Sequence, residues 1–188
     1  LFATLSFTLL YEKIIIKAKK RGGTMRILTT YEMQDFIQFL TNLFIKEYNK
    51  RFSFGEIWIE SSNILANGYC FYFALTVHKL VPETKIAVYP GMHHFISYHD
   101  EFFDYRGLLP VMQNQIQIFL GSTVSLDHIF IIEEKDLMQE IGIAETYGEF
   151  STTKDTIWSQ IEPVLLAAGQ EYLKNCFGFS LAKKIPQN

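Results

Sequence analysis

The sequence is poor in cysteine: Cys70 and Cys176 are the only two among 188 residues, and they lie far apart. Two such cysteines make neither a disulfide framework nor a zinc site with recognisable ligand spacing. No metal or other cofactor is therefore expected. Thiols of this kind suit a reducing compartment, so we expect a cytoplasmic protein. A Cys70–Cys176 bridge is also compatible with the sequence.

The chain also lacks a strong charge of one sign. Its formal net charge is −3, and no basic stripe is present, which argues against a nucleic-acid partner. No apolar run is long enough to span a membrane, so no stable membrane insertion is expected. What the chain has in excess is aromatic residues, with 17 Phe and 10 Tyr, and its length suits one domain with a sizeable core.

Residues 1–24 differ from the rest. Their apolar part is short, and the basic residues follow it, whereas a secretory signal carries its charge in front. The run Arg21–Met25 is what a ribosome-binding site would encode if it were translated. We therefore hypothesise that the natural start is Met25. The alternative is an amphipathic N-terminal helix. Residues 25–188 then form a single domain with 12 basic and 19 acidic residues, a net charge of −7.

Hydrophobic periodicity predicts the order of the elements. Thr29 and Glu32 form a capping-box pattern before an amphipathic helix that ends near residues 49–51. The other expected elements are a helix from the Cys70 region to about Leu80, a strand over 84–89, a hairpin from His93, a helix over 109–120, a strand over 129–132, a short helix over 136–141 and a long helix over 155–174. Helices flanking a few antiparallel strands indicate an α+β fold.

The central stretch of the chain is Asn67–Leu75, a tight turn followed by a helix that is apolar on nearly every side. Such a helix has to be buried. Asn67 is a suitable N-cap and would place Cys70 in the first turn. There, unpaired backbone N–H groups and the helix dipole favour a thiolate.

A base and an orienting group follow in the order that a papain-type cysteine enzyme uses. His93 and His94 begin a predicted strand, and Asp104 ends the next one. The alternative is that Cys70 is a small core residue and the histidines are incidental, since free cysteine is often buried.

Three motifs carry a resemblance to a known family. In order along the chain they are the run Gly68–Leu75, Gly-Tyr-Cys-Phe-Tyr-Phe-Ala-Leu, a histidine at the start of a predicted strand, and, after a short polar turn, the run Phe102–Gly107, Phe-Phe-Asp-Tyr-Arg-Gly. Together they resemble small papain-like cysteine proteins of bacteria and phages, relatives of the broad transglutaminase and NlpC/P60 group. The resemblance covers roughly residues 60–110. It implies a papain-like fold in which a buried Cys-bearing helix packs on a small antiparallel sheet.

The resemblance also implies catalysis through an acyl-thioester at an amide bond. Cys70 would be the nucleophile, His93 the base and Asp104 the group that orients the imidazole. The backbone N–H of Cys70 would be the first oxyanion donor, and the side-chain amide of Asn67 is a weaker candidate for the second. Arg106 is expected to steady the loop after Asp104, with binding of a substrate carboxylate as the alternative.

The choice between His93 and His94 depends on the turn between the two strands. Neighbours on a strand point to opposite faces, so only one histidine is expected to face Cys70. A two-residue turn over His99–Asp100 brings Asp104 to the face of His93, whereas a three-residue turn brings it to that of His94. The family spacing favours His93.

The sequence therefore predicts a cysteine hydrolase or acyltransferase with a Cys70–His93–Asp104 triad, His94 being the alternative base. Its substrate would be a peptide or protein. The alternative function is a non-catalytic binding module that keeps the papain-like scaffold, such as a phage or mobile-element protein acting on a host partner. An enzyme is expected to expose its sulfur beside a histidine, whereas a binding module could seal it in apolar contacts.

Overall fold

The computed structural model describes residues 27–52, 65, 69–90, 93–119, 122–133, 136 and 152–178. Three long helices lie in these ranges: α1 is Thr30–Phe52, α2 is Cys70–Leu80 and α3 is Thr152–Phe177. All three were predicted, with ends that differ by at most a few residues. The N-terminal segment 1–24, and the predicted short helix beyond Asp136, lie outside the described residues.

The start of α1 has the predicted capping box. The backbone N–H of Thr29 donates to Glu32 Oε2 at 2.9 Å, and the backbone N–H of Glu32 donates to Thr29 Oγ1 at 3.3 Å. Each side chain thus satisfies a backbone donor that the first turn of a helix leaves unpaired.

The start of α2 corrects one prediction. The helix begins at Cys70, so the cysteine does lie in the first turn, but the N-cap is Tyr69, whose side chain makes no capping hydrogen bond. Asn67 is therefore not the cap, and it lies outside the described residues. The Tyr69 ring packs near Phe44 and Trp158, with ring centroids 5.8 and 6.1 Å away. Aromatic packing therefore holds the helix start where a polar cap was expected.

Eight short strands follow or flank α2 in the described part of the chain, and all of their pairings are antiparallel. They are β1 (Lys85–Tyr89), β2 (His93–Tyr98), β3 (Glu101–Asp104), β4 (Gly107–Leu108), β5 (Val111–Met112), β6 (Gln115–Phe119), β7 (Ser122–Ser125) and β8 (Phe130–Ile132). One sheet has the order β4–β3–β2–β1–β8, and the other has the order β5–β6–β7. The fold is α+β, as predicted.

The turn between β2 and β3 has two residues. His99 and Asp100 have φ angles of +48° and +62°, and Tyr98 pairs with Glu101. Positive φ at both central positions is the geometry of a type I′ turn, whose twist matches that of the flanking strands. This is the shorter of the two predicted turns, and it sets the register that brings Asp104 to the face of His93.

The helix predicted over 109–120 is wrong, because these residues form β5 and β6. Gln113 and Asn114 have φ angles of +49° and +62° and make a second tight turn between the two strands. Ile116 and Ile118 are buried, and the polar residues beside them are more exposed, which is the two-residue period of a strand. This hairpin, whose turn contains no glycine, was not predicted from the sequence.

Apolar side chains fill both faces of the five-stranded sheet. The face toward the helices carries the helix-side core, and the opposite face, covered by β5–β7, carries the hairpin-side core. The helix-side core includes Met33, Phe36, Ile37, Leu40 and Phe44 of α1, Phe73, Ala74, Val77 and Leu80 of α2, Ile161 and Leu165 of α3, and Ile86, Ile96, Tyr98 and Phe103 of the sheet. The hairpin-side core consists of the buried residues Ala87, Phe95, Leu109, Ile116 and Ile118.

Candidate active site

Cys70 lies where the first turn of α2 meets the beginning of β2. The residue is 7% exposed, and its neighbours Phe71, Phe73 and Ala74 are also buried. The helix packs against β2, so its apolar surface is what holds the cysteine next to the sheet.

His94 contacts the cysteine directly. Its Nδ1 lies 4.0 Å from Cys70 Sγ, at the limit of a hydrogen bond to sulfur. The imidazole meets the ring of Phe71 edge-on, with 4.9 Å between the centroids. His94 points to the same face of β2 as Ile96, toward the helices.

His93 binds the carboxylate. Its Nε2 lies 2.9 Å from Asp104 Oδ2, and both side chains are 1% exposed. The ring is stacked on Phe95, with 5.9 Å between the centroids, and meets Tyr105 edge-on at 6.2 Å. Because Nε2 is bonded to Asp104, Nδ1 is the nitrogen left to exchange a proton with a thiol.

The titration of Cys70 depends on both histidines. Burial alone raises the pKa of the thiol, but hydrogen bonds to His93 and then His94 lower it from 9.0 to about 6. Burial lowers the pKa of His93, and its hydrogen bonds to Asp104 and Cys70 raise it from 6.5 to about 9. Between these values the favoured state is a thiolate beside an imidazolium, a pair that titrates as a unit.

Both histidines therefore affect the pKa of Cys70, although only one of them was expected to face it. Side chains alternate along the interior of a strand, and the rings of His93 and His94 do begin on opposite faces. However, His93 is the first residue of β2, and Cys70 lies beside this end of the strand. At the end of a strand, a side chain from either face can reach a group placed there.

Asp104 is 3% exposed and would be costly to bury as an unpaired charge. Burial raises the pKa of this carboxyl, but hydrogen bonds from His93 and Arg106 outweigh that effect, so the pKa is lowered below 3.8. The backbone N–H of Arg106 donates to Asp104 Oδ1 at 2.8 Å, which makes a tight turn of this segment. Asp104 is therefore an ionised, oriented acceptor for the His93 ring.

Two features of the structure fix the turn after Asp104: one hydrogen bond from α1 and the conformation of one glycine. Thr41 Oγ1 on α1 donates to the carbonyl of Tyr105 at 2.8 Å. Gly107 has a φ of +107°, and a Cβ there would come within 3.3 Å of the Gln34 side chain. The glycine of the aromatic-Asp-x-x-Gly motif thus has a steric reason, whereas nothing in the sequence pairs Thr41 with Tyr105.

A small cavity adjoins the site. Cys70, His94 and Asp104 line it together with apolar side chains from α1, α2, β2 and β3, and it has room for about one water molecule. The cavity is far too small for a peptide. Asn67, the weaker oxyanion candidate, lies outside the described residues.

Comparisons with protein-family models, with curated proteins and with solved structures gave no match. Within the described ranges, no helix is long and apolar enough to cross a membrane. The same residues contain no group of three or more His, Cys, Asp or Glu side chains placed to hold a metal ion. What the site does has to be inferred from its own geometry.

Proposed function

We propose that this protein is a papain-like cysteine hydrolase or acyltransferase that acts on an amide bond of a peptide or protein, in the cytoplasm. The observation that carries the proposal is the cysteine in the first turn of a buried helix, beside two histidines, one of which is bonded to a buried aspartate. The packing of α2 on the antiparallel sheet supports the papain-like arrangement.

The first half of the reaction uses the thiolate–imidazolium pair. The Cys70 thiolate attacks the carbonyl carbon, a C–S bond forms, and the carbonyl electrons move to oxygen. The backbone N–H of Cys70 is the nearest donor for that oxyanion. The tetrahedral intermediate then expels the amine, which takes its proton from His93, and an acyl-thioester remains.

The second half returns the enzyme to its starting state. Neutral His93 accepts a proton from water, which attacks the thioester carbonyl and releases a carboxylic acid and the Cys70 thiolate. An amine that attacks in place of water gives a new amide, which is acyl transfer. Asp104 accepts the Nε2–H hydrogen bond throughout, so it fixes the tautomer and stabilises the imidazolium. No metal or cofactor is needed.

One observation favours the second candidate, a non-catalytic binding module on the same scaffold. Cys70 is only 7% exposed and His94 only 9%, whereas a working nucleophile needs access to its substrate. If Cys70 were inaccessible, the side chains of the site would still pack together, but the thiol could not react with a substrate.

Alkylation of Cys70 separates the two candidates. In a Cys176→Ser background, which removes the exposed thiol, iodoacetamide should modify Cys70 of the folded protein with a rate that rises through about pH 6. The reason is that the thiolate is the reactive form. Intact mass measures the modification, and Cys70→Ser is the control. Reaction only after unfolding would favour the binding module.

Turnover is tested separately with p-nitrophenyl acetate. An enzyme should form an acetyl adduct on Cys70 that decays in water and decays faster when an amine is added. The rate of p-nitrophenol release should rise through about pH 6, where Cys70 becomes deprotonated. A stable adduct with no decay would argue against both hydrolysis and transfer.

A further inference from the structure

We propose that Arg106 is a positioning residue of this site, which fixes the Asp104 carboxylate and joins it to the second sheet. The inference rests on the proposed function, since it concerns how the same site keeps its reactive state. It begins from the position of Arg106, two residues after Asp104 in the turn that leads to β4.

The Arg106 guanidinium contacts the Asp104 carboxylate from one side. Arg106 Nε lies 3.2 Å from Asp104 Oδ1 and 3.0 Å from Oδ2, and Nη2 donates to Oδ2 at 2.6 Å. With the backbone N–H of Arg106 and Nε2 of His93, four nitrogens contact the carboxylate, about as many donors as its two oxygens can accept. These contacts hold the carboxylate in the orientation in which Oδ2 lies 2.9 Å from His93 Nε2.

The same guanidinium reaches the second sheet. Arg106 Nη2 donates to the backbone carbonyl of Ile118 on β6 at 2.5 Å, and the Ile118 side chain is buried in the hairpin-side core. One nitrogen thus bridges the carboxylate on β3 and a strand of the other sheet. The guanidinium presents its donors in a fixed planar fork and can serve both acceptors at once.

The charges of the site alternate when Arg106 is included. They run from the Cys70 thiolate through the His93 imidazolium and the Asp104 carboxylate to the guanidinium. Among the residues that the structure describes, the other titratable groups beside this row are His94 on β2 and Tyr105 next to the carboxylate, and both are buried. Loss of the guanidinium would leave a net negative charge among buried groups, and every acid there would hold its proton more tightly.

This geometry leaves little for a substrate carboxylate. The Arg106 side chain is 28% exposed, and two of its three nitrogens are engaged by Asp104 and Ile118. Of the two roles that the sequence suggested for Arg106, the loop role is the one that the contacts favour.

The test compares Arg106→Gln with Arg51→Gln in the Cys176→Ser background. Arg51 also pairs with a carboxylate, Glu47, but it does so within α1. We expect Arg106→Gln to raise the pH midpoint of Cys70 alkylation by about half a unit to one unit, because the nearest positive charge to Asp104 is lost. Arg51→Gln should leave the midpoint unchanged.

Arg106→Lys keeps the charge but not the fork, so its midpoint should lie between those of wild type and Arg106→Gln. This variant carries the test if Arg106→Gln does not fold. A lower melting temperature with a wild-type midpoint would mean that Arg106 is merely structural and would overturn the inference. An equal shift in Arg51→Gln would overturn it as well. If the parent Cys70 does not react below pH 8, the proposed function itself fails, which is a separate result.

Discussion

The two faces of the five-stranded sheet differ in what covers them. On the helix-side core, α1, α2 and α3 bury a large set of aromatic and aliphatic side chains. The hairpin-side core is much smaller and is covered by three short strands, β5 to β7. Both residues of β5, Val111 and Met112, are exposed. Burial of apolar surface is the main stabilising term in folding, so most of the stability of the fold comes from the helix side.

The residues of the candidate site are divided between the two faces of the sheet. His94 lies beside Cys70 of α2, with 4.0 Å between Nδ1 and Sγ, whereas the His93 ring is stacked on Phe95 of the hairpin-side core and bonded to Asp104. The stable half therefore holds the nucleophile, and the smaller half holds the charged pair that tunes it. Four predictions test this division, beginning with the largest effect.

The first prediction compares two phenylalanines of neighbouring strands. Phe103 is 0% exposed on the helix side, and Phe95 is 1% exposed on the hairpin side. Truncation of a buried Phe to Ala costs about 3–5 kcal/mol. We expect Phe103→Ala to lie at the upper end of that range and Phe95→Ala at the lower end, measured by urea unfolding.

Only Phe95→Ala should also slow Cys70 alkylation of the folded protein, because Phe95 is stacked on His93. A slower reaction in Phe103→Ala with a normal rate in Phe95→Ala would show that the division of the site between the two faces is wrong.

The second prediction compares the two histidines. His93→Ala should slow Cys70 alkylation near neutral pH by about tenfold or more, since the loss of its hydrogen bond raises the thiol pKa and lowers the thiolate fraction. His94→Ala should have a smaller effect, because its Nδ1 lies 4.0 Å from Cys70 Sγ and its hydrogen bond lowers the pKa of Cys70 less than that of His93 does. Rates are measured by intact mass. A larger effect of His94→Ala would assign the base to His94.

Much of this arrangement could be predicted from the sequence because it depends on local rules. The period of α1, its capping box and the stop of α2 before Pro82 are read from neighbouring residues. The pairing of His93 with Asp104 followed from counting residues around a two-residue turn, although His99–Asp100 is not a strong turn sequence.

The rest depends on contacts that no local pattern contains. Residues 109–120 form a hairpin where a helix is predicted, and its turn, Gln113–Asn114, lacks the glycine that marks most tight hairpins. The approach of both histidines to Cys70 depends on where α2 packs on β2. Likewise, the bond from Arg106 to the Ile118 carbonyl depends on how the second sheet is placed.

The third prediction concerns how tightly the helix side is packed. Gly169 of α3 lies so close to α2 that a Cβ would be 2.7 Å from Leu80 Cδ1, and Leu80 is itself fully buried. Alanine favours a helix by about 1 kcal/mol over glycine. Overpacking costs about 1–3 kcal/mol, so we expect a net destabilisation of about 1 kcal/mol in Gly169→Ala, measured by urea unfolding.

The hairpin-side control is Ile116→Val, which removes one methyl group and should cost about 0.5–1.5 kcal/mol without a clash. A Gly169→Ala protein that is more stable than the parent would show that Leu80 moves aside and that the helix side has more room than the static contacts imply.

The last and smallest effect is expected at the N-terminus. The Tyr98 hydroxyl, on the helix-side face of β2, accepts from the backbone N–H of Leu28 at 2.9 Å and donates to its carbonyl at 3.2 Å. Together with the Thr29–Glu32 capping box, these contacts attach the described N-terminal residues to the domain. A chain that begins at Met25 keeps all of them. Its melting temperature should therefore stay within about two degrees of the parent, a change below about 1 kcal/mol.

The matched variant is Tyr98→Phe, which removes both hydrogen bonds to Leu28 and leaves a buried backbone N–H without its partner. It should lower the melting temperature by several degrees, since such a group costs about 1–3 kcal/mol. If the chain that begins at Met25 lost as much as Tyr98→Phe, residues 1–24 would have to pack on the domain. The idea that they are upstream sequence would then be wrong, because only a segment that stabilises the fold can destabilise it on removal.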